Sequence, residues 1–204
     1  MTCRVTEKEA IQPVLQWSSA LPIVLSSVWL ASETAVAWRT WRVRRSFTDA
    51  APRDGGSAWV VLAGTAVAGT ALVVLSSQGW ARVGMSGQGV GLGLMLGGIV
   101  LRWAAVLALG RHFSLFVATS PSQSLVTSGP YRVVRHPAYS GVLFTSAGLG
   151  LVYGSWLAAA FLAGAAWALF SYRIRVEEAV LVAHFGPTYM AYRARTWRLI
   201  PWIF

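Results

Sequence analysis

Apolar residues gather in four long blocks separated by arginine-bearing segments. The first runs from about Ala20 to Trp38 and holds one charge, Glu33; the second, Ser57 to Ser77, holds none. The third, about Gly89 to Gly110, contains Arg102, and the fourth covers 35 uncharged residues from Ala138 to Tyr172. The hydrocarbon core of a bilayer is about 30 Å thick and takes roughly 20 residues of helix to cross. Each of the first three blocks predicts one span. The fourth is too long for one and barely enough for two, and Tyr153-Gly154-Ser155-Trp156 supplies a break in its middle. The pattern therefore predicts an all-α integral membrane protein. It would have five transmembrane helices, the last two forming a C-terminal hairpin whose tip barely reaches the far side, followed by a cytoplasmic helical extension.

Composition agrees with that reading. The chain has 204 residues, 55% of them hydrophobic and only 12% charged, with a mean hydropathy of +0.55. A soluble domain of this size carries roughly a quarter charged residues, so this surface is not built for water. One membrane domain is expected, with residues 1–88 as an N-terminal two-span part and residues 89–204 as the part that carries the chemistry. A signal peptide is the rival reading of the N-terminus, since Ala35-Val36-Ala37 imitates a cleavage site. Glu7, Glu9 and Glu33 spoil the usual charge pattern, and the block is read as a first span.

The net charge of +10 comes almost wholly from arginine; Lys8 is the one lysine. The arginines cluster between apolar blocks rather than along one polar face, which fits the positive-inside bias and not nucleic-acid binding. The loop after the first span carries Arg39, Arg42, Arg44, Arg45 and Arg53, whereas the loop after the second carries Arg82 alone. The loop after the third carries Arg111, Arg132 and Arg135. The tail carries Arg173, Arg175, Arg193, Arg195 and Arg198. With five spans the basic segments fall on one side, so the N-terminus is expected outside and the C-terminus in the cytoplasm of a bacterial plasma membrane. Cys3 is the single cysteine and excludes an internal disulfide or a cysteine-based zinc site. The glycine- and alanine-rich character of spans two to five predicts close helix packing in lipid, not a phosphate-binding loop.

Candidate chemistry concentrates at both ends of the fourth block. In "GPYRVVRHPAYSG", residues 129–141, Gly129-Pro130 marks a turn and Pro137 suits the first turn of a helix. His136 then stands just ahead of that helix, with Tyr139 inside its first turn. Free backbone N–H groups there attract an anion, and Arg132 and Arg135 add to the pull; simple anchoring of the helix at the interface fits the same residues. The fifth span should continue past Tyr172 to His184 and stop near Gly186-Pro187. On that extension Arg173 and Glu177 are four apart, and Arg175 and Glu178 three apart, as in ordinary surface ion pairs. The hairpin brings this extension back beside His136 and Tyr139.

The stretches "LVTSGPYRVVRHPAYSG" (125–141), "EEAVLVAHFGPTYMAY" (177–192) and "RTWRLIP" (195–201), with a weaker "LRWAAVLALGRHFS" (101–114), resemble the isoprenylcysteine carboxyl methyltransferase family. Those are integral membrane enzymes that use S-adenosyl-L-methionine, and the resemblance covers roughly the C-terminal half. It implies that Gln123, Ser124, Leu125 and Val126, with Tyr131 and the run His136, Pro137, Ala138, Tyr139, line the cofactor pocket. It implies that Glu177 also holds the cofactor and that Arg173 faces the methyl acceptor, making Arg173 and Glu177 the catalytic pair. Gln123 and Ser124 depart from the histidine-containing versions usual there.

The implied reaction is methyl esterification of a carboxylate, such as a prenylcysteine C-terminus, on a lipophilic or lipidated acceptor entering from the bilayer lipids. A carboxylate is already ionised at neutral pH and needs no general base. An amine acceptor, as in phospholipid N-methyltransferases, would need His136, Glu177 or Glu178 as a base. An NADPH-dependent membrane reductase shares the same helix start but belongs to larger proteins. No metal is expected. Arg102, inside a span, needs a partner such as Glu33 or the cofactor carboxylate, although Glu33 itself is near enough to the interface to snorkel. Trp38, Trp41, Trp80, Trp156, Trp197 and Trp202 fall near span ends as an interfacial belt, and His112 and His184 are read as structural.

Overall fold

The computed structural model describes residues 7–45, 57–77, 81–110, 113 and 124–203, with the side chains of 7–19, 21, 41, 43–45, 57–62 and 66 excepted. Among the described residues six α-helices follow one another: α1 Glu7–Arg45, α2 Ser57–Ser77, α3 Met85–Leu109, α4 Pro137–Val152, α5 Trp156–Phe185 and α6 Pro187–Arg193. A 3-10 turn, Gly129–Arg132, precedes α4. Among the described residues β-structure is limited to two isolated bridges, Arg82 with Ser155 and Val134 with Trp197. The all-helical expectation holds. Two of the helices, α3 and α5, are long and apolar enough to cross a membrane.

Element boundaries follow local chemistry. The second block becomes α2 with the expected limits, and α3 starts slightly ahead of the expected Gly89. α1 runs well beyond the apolar block, because neither glycine nor proline lies between Ile23 and Arg45 to end it. The predicted break at 153–156 is present: Gly154 takes a left-handed φ of 76°, and the Ser155 side chain accepts from the Ala158 N–H at 3.1 Å as the N-cap of α5. α4 has 16 residues, about 24 Å at 1.5 Å per residue, less than the hydrocarbon thickness. α5 has 30 residues, about 45 Å. The hairpin is therefore unequal. The far half of α5 overshoots the start of α4 and carries Arg173 to Glu178 alongside it.

α3 and α4 approach as closely as helices can, through glycine. A Cβ built on Gly98 would lie 2.5 Å from the Gly141 carbonyl oxygen, and one on Gly141 would lie 2.6 Å from that of Gly98. One helical segment along, a Cβ on Gly148 would meet the Gly91 carbonyl oxygen at 2.5 Å. With no apolar–water contrast inside a bilayer, such backbone contact is what holds helices together. Met95 and Leu149 fill the adjoining core with Leu72, Ala158 and Leu162. α5 ends at Gly186, whose φ of 52° is the turn expected before Pro187.

Candidate active site

The start of α4 is held from outside by the chain that follows α6. The Arg135 N–H donates to the Trp197 carbonyl (2.8 Å), the His136 N–H to the Arg198 carbonyl (3.2 Å), and the Ser140 hydroxyl to the Leu199 carbonyl (2.6 Å). Residues 197–199 thus run as a strap beside the helix entrance. The anion suggested for that helix end is replaced, at the His136 amide, by a carbonyl of the chain itself.

Three residues from the two ends of the hairpin meet in one hydrogen-bonded chain, with His136 beside it. Arg173 Nε donates to the Tyr139 hydroxyl at 2.8 Å, and that hydroxyl donates to Glu177 Oε2 at 3.0 Å. The helical spacing put Arg173 and Glu177 on one face, and the Tyr139 oxygen sits between them. The Tyr139 ring lies on Phe170 (4.7 Å between centroids) and on His136 (5.8 Å). His136 Nδ1 is 3.8 Å from Glu177 Oε2. Arg173 and His136 are buried.

Glu178 has a different environment from the one its spacing suggested. Arg175 is exposed and donates to the Ser171 carbonyl, while Glu178 turns inward. Its Oε1 takes Arg135 Nε at 3.0 Å and faces His136 Nε2 at 3.4 Å, and its Oε2 takes Arg198 Nη2 at 3.3 Å. The Glu178 side chain is 7% exposed against 29% for Glu177. One carboxylate is saturated by the protein and the other is left partly open.

Other pocket candidates lie on the α3 side. Tyr131 and Ala138 form a buried cluster with Ala105, against which Val126 packs. Pro137 is fully buried, Leu125 is half-buried and Ser124 is exposed. Gln123 and His112 lie outside the described residues. The Tyr192 hydroxyl donates to the Tyr131 carbonyl at 2.8 Å, tying α6 to the 3-10 turn. Burial pushes the Tyr192 phenol up to about 12 and raises Tyr131 and Tyr189 further still, so all three stay neutral. His184 lies edge-on to Phe185 and takes no part in this cluster of contacts.

The intramembrane arginine has found its carboxylate. Arg102 on α3 pairs with Glu33 on α1 at 2.6 Å, and its Nη1 reaches the Ala138 carbonyl at 3.4 Å. Snorkelling of Glu33 is thereby corrected: its carboxylate faces the Arg102 guanidinium on α3 rather than reaching alone for the interface. Sequence reading did not single out Phe170, Ser140 and Arg198 as parts of the site. Their roles depend on chain returning from 20 to about 60 positions away, which no local spacing encodes.

A helical membrane protein with a polar site at the mouth of an unequal hairpin is the class these features define. Residues 91–183 match the model of the isoprenylcysteine carboxyl methyltransferase (ICMT) family. The chain is 37% identical over 114 residues to the protein-S-isoprenylcysteine O-methyltransferase of Schizosaccharomyces pombe, covering 55% of this chain and 48% of the relative. It is 33% identical over 115 residues to protein-S-isoprenylcysteine O-methyltransferase B of Arabidopsis thaliana, covering 55% and 58%. The chain spans about half the length of the curated relatives it matches. A solved structure of the eukaryotic intramembrane Ras methyltransferase ICMT superposes with a TM-score of 0.61 at 28% identity, over 68% of this chain and 52% of that one.

Proposed function

We propose that the protein is an S-adenosyl-L-methionine-dependent methyltransferase that esterifies the carboxylate of a lipophilic acceptor, a prenylcysteine C-terminus being the type its relatives are named for. The observation that carries this reading is the Arg173–Tyr139–Glu177 chain, formed where the entrance of α4 meets the exit of α5 inside the family-matched stretch. Family names that specify O-methyl transfer support a carboxyl acceptor over an amine.

The residues suit the cofactor. Glu177 offers a partly open carboxylate for the amino or ribose groups, and Tyr139, His136 and the Tyr131–Ala138 cluster offer aromatic and apolar walls. When bound, the cofactor supplies an electrophilic methyl group on a sulfonium. The protein's own task is alignment. Arg173 is buried and fixed by its contact with Tyr139, so it can orient an acceptor carboxylate without choosing its direction anew at each turnover. Partial removal of water from that carboxylate raises its reactivity. An ionised carboxylate needs no proton removed, which agrees with a site whose tyrosines remain protonated.

The remaining parts of the reading concern placement. Residues 1–88 form a two-span part and residues 89–204 the catalytic part. Five spans place the N-terminus outside and the arginine-rich C-terminal segment in the cytoplasm of a plasma membrane, with the acceptor arriving through the lipid. A reporter fused at the C-terminus should be active only in the cytoplasm, and activity on the outer face would overturn the orientation.

Calorimetry with S-adenosylhomocysteine and, separately, NADPH tests the chemistry. Binding of the first and not the second is expected; binding of NADPH alone would refute a methyltransferase. Glu177→Ala should weaken S-adenosylhomocysteine binding at least tenfold, whereas Arg173→Ala should leave that affinity near normal and lower turnover on a prenylcysteine analogue roughly a hundredfold, the scale of one lost positioning contact.

A further inference from the structure

Resting on that reading, we propose that Glu178 is the positioning residue of the site, fixing the tautomer of His136 so that the ring presents an unprotonated Nδ1 beside Glu177. The geometry is one of division of labour between adjacent carboxylates. Glu178 is buried, and one edge of the imidazole, Nε2, faces its Oε1 at 3.4 Å. Both ring nitrogens face carboxylates, but Nε2 is the closer, 3.4 Å from Glu178 against 3.8 Å between Nδ1 and Glu177, and a carboxylate only accepts, so the proton is assigned to Nε2. The other nitrogen of a neutral ring then carries a lone pair, and Nδ1 lies 3.8 Å from Glu177 Oε2. An acceptor nitrogen next to an accepting carboxylate is a receptor for N–H or O–H donors, such as a ribose hydroxyl or an amino group.

The surroundings keep Glu178 in this role. Arg135 Nε and Arg198 Nη2 hold its two oxygens at 3.0 and 3.3 Å. Arg135 Nη1 is itself held by the carbonyls of Arg193, at 3.0 Å, and Thr196. The two cations offset the charge that burial would otherwise penalise. They also join α5, the entrance of α4 and the 197–199 strap to one carboxylate, so the imidazole cannot turn without moving all three. A second layer of this kind decides which face of a histidine meets the ligand.

The test uses full-length protein in detergent with 15N-labelled histidine, of which the chain has three, His112, His136 and His184. The ring nitrogens of His136, assigned by their loss in His136→Ala, should show the Nε2–H tautomer without any ligand. Glu178→Gln should redistribute the tautomers of His136 and leave the other two histidines unmoved. Should the Gln variant fail to fold, Glu178→Asp keeps a negative charge for Arg135 and Arg198 but falls a methylene short of the ring, and should give the same spectral change. In parallel, Glu178→Asp should raise the Kd for S-adenosylhomocysteine about tenfold, and do so only while His136 is present; a double-mutant cycle reads that dependence. An Nδ1–H ring in the unsubstituted protein, unmoved His136 resonances in both variants, or an undiminished affinity loss in the His136→Ala background would each overturn the proposal. If the unsubstituted protein binds no S-adenosylhomocysteine, the cofactor reading fails by itself, and the nitrogen resonances still decide whether Glu178 sets the ring.

Discussion

Tyr139 is the residue on which the site turns, since a single oxygen accepts from Arg173 and donates to Glu177. Removing that oxygen leaves a buried guanidinium short of one acceptor, and such losses cost about 1–3 kcal/mol. Tyr139→Phe should therefore lower both S-adenosylhomocysteine affinity and turnover by roughly ten- to a hundredfold while the ring still stacks on Phe170, measurable by calorimetry and steady-state kinetics. At this scale the sequence is half legible. His136, Tyr139, Arg173 and Glu177 stand out because motif and helical spacing converge on them. Glu178 does not, because its spacing from Arg175 suggests a surface pair, and its actual partners come from Arg135 and Arg198. Titration acts on individual residues as well. Tyr192 ionises near 12 in the fold and about 10 when unfolded. Its contribution to stability is thus complete below pH 10 and is lost as pH rises toward 12, since the unfolded chain gives up its proton first. Tyr131 and Tyr189 shift the same way, so the thermal midpoint should hold steady through neutral pH and decline above pH 10.

Among elements, the α3–α4 seam decides whether the α4 entrance is in place. Gly98 and Gly141 present backbone to backbone, and neither can take a Cβ without pushing a main chain aside. Gly98→Val should cost about 1–3 kcal/mol, the usual range for overpacking, and lower the thermal midpoint in detergent. Val100→Ala, on the exposed side of the same helix, should change it little. Element limits were readable from the sequence wherever a breaker marks them, as at Gly154 and Gly186. The strap of residues 197–199 was not, because its only secondary structure is an isolated bridge to Val134 and it carries no periodic pattern.

Across the molecule, polar contacts as well as apolar ones hold α1 to the rest. Arg102 pairs with Glu33, Trp103 Nε1 donates to the Ser32 hydroxyl at 2.7 Å, and Ser26 meets the Tyr153 hydroxyl at 3.0 Å. Breaking a buried pair on one side only costs roughly 3–5 kcal/mol, whereas replacing both members by apolar residues is often nearly neutral. Arg102→Met alone should therefore destabilise strongly, and adding Glu33→Met should restore much of the loss; thermal unfolding of the single and double variants checks this. The helical membrane class was legible from composition, since too few charges exist to cover a soluble surface. The partnering of α1 was not, because Arg102 had two candidate partners in the sequence and only packing chooses between them.

That pair also bears on biogenesis. Glu33, the one carboxylate in the apolar block of the first helix, and Arg102 in the third are each costly guests in hydrocarbon. With the two charges 69 positions apart, the opening segment is expected to stay near the insertion machinery until the third helix has been synthesised. Neutralising either charge uncouples their timing.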